Sequence, residues 1–208
     1  MTLSFVSESV DQAWLTLPHA EAGNRIGLFG GSFNPPHSGH LLVAETARKR
    51  LALDQVWWLV TPGNPLKDHS HLAPLAHRLE MTSTLASGPH MRVTAYEQVL
   101  GSPYTARTVD MLKAKRPNLR FVWLMGADNL ATFHRWQDWR SILAQVPVAV
   151  VNRPGATLSV LSAPMARAFG SCRLPEKDAA LLPDLMPPAW TFLHAPLDET
   201  SSTALRRS

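Results

Sequence analysis

The chain has 208 residues, 45% of them hydrophobic, with 20 Lys and Arg against 16 Asp and Glu for a formal net charge of +4. That length predicts one substantial domain whose core needs no covalent staples, and the lone cysteine, Cys172, excludes an internal disulfide and predicts a reducing cytoplasm. The basic excess is mild and no Lys/Arg block or basic helix argues for nucleic acid; no run of about 18 apolar residues argues for a membrane span, and residues 1–24 lack the basic start and apolar core of a signal peptide.

In chain order, residues 1–24 read as a loosely attached extension with a short amphipathic helix around 10–17, and residues 25–208 as a single domain. An apolar run at 26–29 is short enough for one buried strand. It breaks at Gly30-Gly31 and Pro35-Pro36, and "GHLLVAETARKRLAL" then carries a helical stripe from Leu41 to Leu53. "QVWWLV" predicts a second strand, and "PLAHRLEMTSTLAS" a helix opened by proline. "MRVTAYE" alternates as a strand does. "YTARTVDMLKAKRP" predicts a helix capped by Thr105 and closed by Pro117. "LRFVWLMG" is a buried strand followed by a helix at "ADNLATF". After it come a helix at "WQDWRSILAQ", a strand at "VPVAVV" and a late strand at "WTFLHAP". The Pro-rich stretch 163–188 reads as a helix with a surface loop. This alternation predicts a doubly wound, mostly parallel Rossmann-like sheet with helices on both faces. The loops after the strands then converge on one rim: the glycine–histidine loop, the segment 61–67 with Lys67, the segment 126–129, and Arg153.

Within "GLFGGSFNPPHSGH", His37 falls just before a helix and His40 in its first turn. A helix start offers unpaired N–H groups and a partial positive charge. Gly30 and Gly31 leave room for an anion at the backbone, a geometry suited to phosphate. Two imidazoles there can donate to phosphate oxygens or take a proton. The alternatives are an H-x-x-H metal site, for which no nearby Cys or carboxylate completes a ligand set, and two merely exposed histidines. Near the end, "SSTALRR" reads as a helix start whose hydroxyls and Arg206 suit phosphate, or simply as a cap. Asp128 follows a strand and is placed to accept from ribose hydroxyls. Trp136 and Trp139 stand three apart, one for the core and one for a base-like ring. Lys67 alone reads as a surface lysine.

"GGSFNPPHSGH" resembles the signature G-G-[ST]-F-[DN]-P-x-H-x-G-H of the nucleotidylyltransferases that share the H-x-G-H motif, and "SSTALR" resembles their second signature, I-S-S-T-x-[IL]-R. "TPGNPLK", "YTARTVDML", "GADNLATFHRWQDW" and "VNRPG" are similar to the bacterial nicotinate-nucleotide adenylyltransferase branch. The resemblance covers roughly residues 25–207; the Lys67 segment departs from the P-P-H-K spelling common there, and many members continue beyond Arg206. It implies an enzyme of NAD biosynthesis that transfers AMP from ATP to nicotinate mononucleotide, giving deamido-NAD and pyrophosphate, with Mg2+ as the ATP counter-ion. It also implies His37 and His40 as phosphate clamps and Gly30, Gly31, Ser32 and Phe33 as the backbone cradle. Ser202, Thr203 and Arg206, with Lys67, would hold the phosphates. Asp128 would touch ribose, Trp136 stack on the nicotinate ring, Thr105 lie near its carboxylate, and Arg153 line the acceptor site. The alternatives are an acceptor such as nicotinamide mononucleotide or pantetheine phosphate, or a nucleotide-binding sensor without turnover. No motif dictates an oligomeric state.

Overall fold

A computed structural model of the chain describes residues 10–63, 72–152 and 162–195. Within them lie strands β1 (Arg25–Gly31), β2 (Gln55–Val60), β3 (Met91–Thr94), β4 (Arg120–Gly126), β5 (Val148–Val151), β6 (Arg173–Leu174) and β7 (Trp190–Leu193). They form one sheet in the order β3-β2-β1-β4-β5-β7-β6, and every pairing is parallel. The helices are α1 (Ser38–Arg50), α2 (Leu75–Leu85), α3 (Tyr96–Leu100), α4 (Thr105–Lys115), α5 (Ala127–Thr132), α6 (Trp139–Gln145) and α7 (Pro164–Ala168). The doubly wound Rossmann-like reading is therefore correct, and the sheet is wholly parallel.

A parallel strand covered on both faces buries every residue, and this is why the strands read as unbroken apolar runs. Successive side chains part to opposite faces. Ile26, Leu28, Trp57, Leu59, Trp123 and Met125 join α4, α5, α6 and α7 in one core cluster. Phe29, Val56, Trp58, Val60, Val122 and Leu124 join α1, α2 and the 3-10 segment Glu176–Asp184 in the other. β4 sits at the centre beside β1; β2 and β3 lie beyond β1, and β5, β7 and β6 beyond β4. The chain thus leaves β1 and β4 in opposite directions, and a crevice opens beyond their carboxyl ends, where sheets of this class take ligands.

Five local expectations change. The "MRVTAYE" strand stops at Thr94, because the Ala95 N–H goes to the Trp14 carbonyl (2.8 Å) rather than to a strand neighbour. The Thr94 hydroxyl meanwhile contacts the Trp14 and Thr16 carbonyls, both at 2.9 Å, and α3 begins at once. The same bonds tie down the N-terminal segment. Its helix is only the 3-10 turn Gln12–Leu15, and Val10, Trp14 and Leu15 pack on one cluster, Leu17 and Ala20 on the other. Thr105 does not cap α4: Tyr104 occupies that position and Thr105 is the first helical residue. The helix expected from Trp136 starts at Trp139, since Asp138 adopts a left-handed conformation (φ 52°) that an α-helix cannot include. Stretch 163–188 supplies a strand, β6, besides its helices. No helix among the described residues is long and apolar enough to cross a membrane.

Candidate active site

β1 delivers its carboxyl end into the glycine–histidine loop, and α1 carries the chain away from it. Gly31 and Thr61 align these loops directly: the Thr61 N–H donates to the Gly31 carbonyl at 3.0 Å. Phe33 is held at φ 45°, uncommon for a residue with a side chain. Its buried ring turns back over Gly31, where a Cβ would meet it at 2.9 Å. The ring also stands edge-on to His40 and tilted on Trp58, each with centroids 5.1 Å away. A Cβ on Gly30 would meet the Trp123 indole at 2.6 Å. The space over both glycines is thus filled by aromatic rings rather than left open.

His37 occupies the N-cap of α1 and His40 its third position, and the two cap the helix reciprocally. The His37 N–H donates to His40 Nδ1 at 3.3 Å. While Nδ1 accepts this bond, the His40 ring is neutral and carries its proton on Nε2. His40 is therefore an N–H donor at the positive end of a helix, suited to an oxyanion. The rings of His37 and His40 lie 3.8 Å apart, so the pair acts as one unit. Among the described residues no group of three His, Cys, Asp or Glu is placed to hold a metal ion.

One side chain that the sequence reading did not single out fixes this loop. Arg78 of α2 is 1% exposed, and its hydrogen bonds among the described residues all go to backbone carbonyls. It donates to Ser32 at 2.7 Å, Thr61 at 2.8 Å, Ala73 at 2.9 Å and Pro62 at 3.3 Å. Burial lowers its pKa to about 10, so the cation persists at neutral pH. Asn34 adds a bond from the Ala73 N–H at 3.2 Å. The signal was present: positions 75, 78, 79 and 82 form one apolar-face stripe of α2, and an arginine on it must be paired.

Across the crevice, β4 ends at Gly126 and Asp128 stands exposed in the first turn of α5. Trp136 is half-buried, edge-on to Trp123 (6.2 Å, 84°) and tilted on Phe133 (5.2 Å). Trp139 is the core residue of the two, edge-packed between Phe133 and Phe169. Thr105 is half-buried at the start of α4. Glu97 of α3, also not singled out, is buried below these elements and accepts from the Thr108 hydroxyl at 2.9 Å. Desolvation raises its pKa to about 7, against the opposing hydrogen bonds of Thr108 and Thr61. Ser32, Phe33, His37 and His40 thus lie on the β1 side of the crevice, and Asp128 and Trp136 follow β4 on the other. Lys67, Arg153, Ser202, Thr203 and Arg206 lie outside the described residues.

Known proteins resemble the chain in sequence and in fold. A cytidylyltransferase-like family model matches residues 28–208. A nicotinate-nucleotide adenylyltransferase of Rhizobium meliloti is 62% identical over 181 residues, covering 87% of this chain and 96% of its own. One of Mesorhizobium japonicum is 56% identical over 191 residues, covering 92% and 98%. Among solved structures, a Plasmodium falciparum nicotinic acid mononucleotide adenylyltransferase complexed with NaAD superposes with a TM-score of 0.64 at 16% identity, over 88% of this chain and 83% of that one. The last likeness concerns the fold alone, whereas the identities reach the sequence itself. The chain belongs to the cytidylyltransferase-like family, in its nicotinate-nucleotide adenylyltransferase branch.

Proposed function

We propose that the protein transfers AMP from ATP to nicotinate mononucleotide, releasing pyrophosphate and forming deamido-NAD. The observation that carries this reading is the His37–His40 pair at the start of α1, beside the crevice that β1 and β4 open and with Trp136 on its β4 side. An oxygen of the mononucleotide 5′-phosphate forms a bond to the α-phosphorus of ATP, and the bond from that phosphorus to the β-bridging oxygen breaks. The nucleophile is already anionic, so the site needs no strong base. Its task is to bring two anions together and to stabilise charge on the α-phosphoryl oxygens and the leaving pyrophosphate. His40, held as an Nε2 donor, and His37 suit those oxygens, while backbone N–H groups at 30–33 suit the adjoining phosphates.

Lys67, Ser202, Thr203 and Arg206 complete the phosphate grip, and ATP arrives as its Mg2+ complex. Asp128 takes ribose hydroxyls, the open face of Trp136 takes the nicotinate ring, and Thr105 and Arg153 line the acceptor end. The lone cysteine supports a reducing cytoplasm as the compartment. The test is pyrophosphate release from ATP and Mg2+ with nicotinate mononucleotide, nicotinamide mononucleotide and pantetheine phosphate offered separately. Nicotinate mononucleotide is expected to give the highest kcat/KM; a higher value for either other acceptor, or no release at all, overturns the reading.

A further inference from the structure

β3 is an edge strand of the sheet and ends after four residues, and the helix that follows it, α3, has only five. A helix of little more than one turn does not hold itself in water, so the place of α3 is imposed by its anchors. At its start the anchor is Thr94, 1% exposed. The Thr94 hydroxyl shares its one proton between the Trp14 and Thr16 carbonyls, both at 2.9 Å. Its oxygen accepts from the N–H of Tyr96, the first residue of α3, at 3.1 Å. The Ala95 N–H adds a bond to the Trp14 carbonyl at 2.8 Å.

Both carbonyls belong to the N-terminal segment, which has a shape of its own. Asp11 accepts from the Ala13 N–H at 2.9 Å, and the Thr16 hydroxyl donates to the Ala13 carbonyl at 2.9 Å, closing the turn. Val10, Trp14 and Leu15 pack on the cluster of one sheet face, Leu17 and Ala20 on that of the other, so the segment wraps the β3 edge. On its other side α3 backs α4 in two places. Glu97 accepts from the Thr108 hydroxyl at 2.9 Å, and Lys115 in the last turn of α4 lies over the Tyr96 ring, 5.6 Å from its centroid. Thr105 of the proposed acceptor site opens that same helix, one turn before Thr108. The glycine–histidine loop is fastened separately, from α2 by Arg78.

We infer that the N-terminal segment is a positioning strap for the acceptor half of the site, with Thr94 as the positioning residue that fastens α3 to it. The strap fixes α3, α3 backs α4, and α4 presents Thr105 to the mononucleotide. An apolar residue at 94 would fill the same volume but would drop the bonds to the Thr16 carbonyl and the Tyr96 N–H, leaving α3 to shift against the strap. This rests on the proposed acceptor site, and it predicts that the two substrates respond differently when the strap is loosened.

The experiment is steady-state kinetics of the full chain with each substrate varied, beside melting curves, for Thr94→Val, Thr94→Ser, Thr108→Val and the double variant Thr94→Val with Thr108→Val. Thr94→Val is expected to raise KM for nicotinate mononucleotide roughly three- to tenfold, the equivalent of one hydrogen bond, with KM for ATP unchanged. Thr94→Ser keeps the hydroxyl, so its KM values should stay close to wild type. Thr108→Val cuts the relay after α3, so the double variant should raise the same constant by less than the product of the two single effects. A merely structural Thr94 would lower the melting temperature and the active fraction and leave both KM values alone. That result, an equal rise in both KM values, or a double variant that reaches the full product overturns the proposal. Should Thr94→Val fail to fold, Trp14→Leu, which loosens the strap where it packs on the core, must show the same split between substrates. A wild-type protein that releases no pyrophosphate with this acceptor overturns the functional reading, and this one with it; an active wild type beside a folded Thr94→Val of unmoved KM overturns this one alone.

Discussion

His40 caps its helix and, in the proposed transfer, has a second job in the same ring. Nδ1 closes the helix cap on the His37 N–H, and that bond keeps the proton on Nε2. The proposed catalytic use and helix capping thus call for the same protonation state, and neither competes with the other. The two contributions separate by magnitude. His40→Ala is expected to lower kcat roughly 10²–10³-fold, the usual loss for one preorganised oxyanion donor. Losing the cap should cost only about 1 kcal/mol of stability. A folded His40→Ala protein with near-normal kcat would leave the ring with the capping role alone. The sequence showed where this pair stands, just before and inside the first turn. It did not show that the histidines bond each other, because that depends on the extended backbone at His37 (φ −151°) that brings its N–H under the His40 ring.

At the scale of elements, what holds the glycine–histidine loop is a side chain sent in from a separate helix. α2 inserts Arg78 beneath the loop, and its guanidinium gathers carbonyls from Ser32, Thr61, Pro62 and Ala73. A lysine keeps the charge but has no planar fork, so it cannot serve acceptors arranged on different sides. Arg78→Lys is therefore expected to raise KM for ATP severalfold, leave KM for the mononucleotide little changed, and cost roughly 1–3 kcal/mol in stability as carbonyls lose their donor; equal KM values for ATP in the variant and the wild type would refute this. The strand–helix units around α2 were legible because a strand buried on both faces announces itself as an apolar run. The end of β3 was not, since the alternation of "MRVTAYE" runs on while the Ala95 N–H is claimed by distant Trp14. Glu97 was hidden by the same run, whose last residue it is; the turn into α3 carries it inward. Trp136 and Trp139 looked equivalent at their helical spacing until the left-handed Asp138 set them on different sides of the helix start.

Taken as a whole, the molecule places its two halves on strands that share the centre of one sheet, with β1 and β4 hydrogen-bonded side by side. Their contact is not confined to the backbone. The Trp123 indole of β4 lies across the space over Gly30 of β1, and its far side meets Trp136 edge-on. One rigid ring thus spans from the floor of the phosphate loop to the back of the aromatic wall. Gly30→Ala puts a methyl where that ring already lies, and overpacking of this kind costs about 1–3 kcal/mol if nothing gives way. Where the ring yields by tilting, Trp136, which it meets edge-on, is a neighbour it presses against. Adding one carbon to the phosphate loop should therefore be felt at the acceptor: KM for nicotinate mononucleotide rises, and Trp136 fluorescence shifts, although Gly30 touches neither. In mechanical terms Trp123 is a feeler gauge between β1 and β4, and the glycine at position 30 is the clearance to which it is cut.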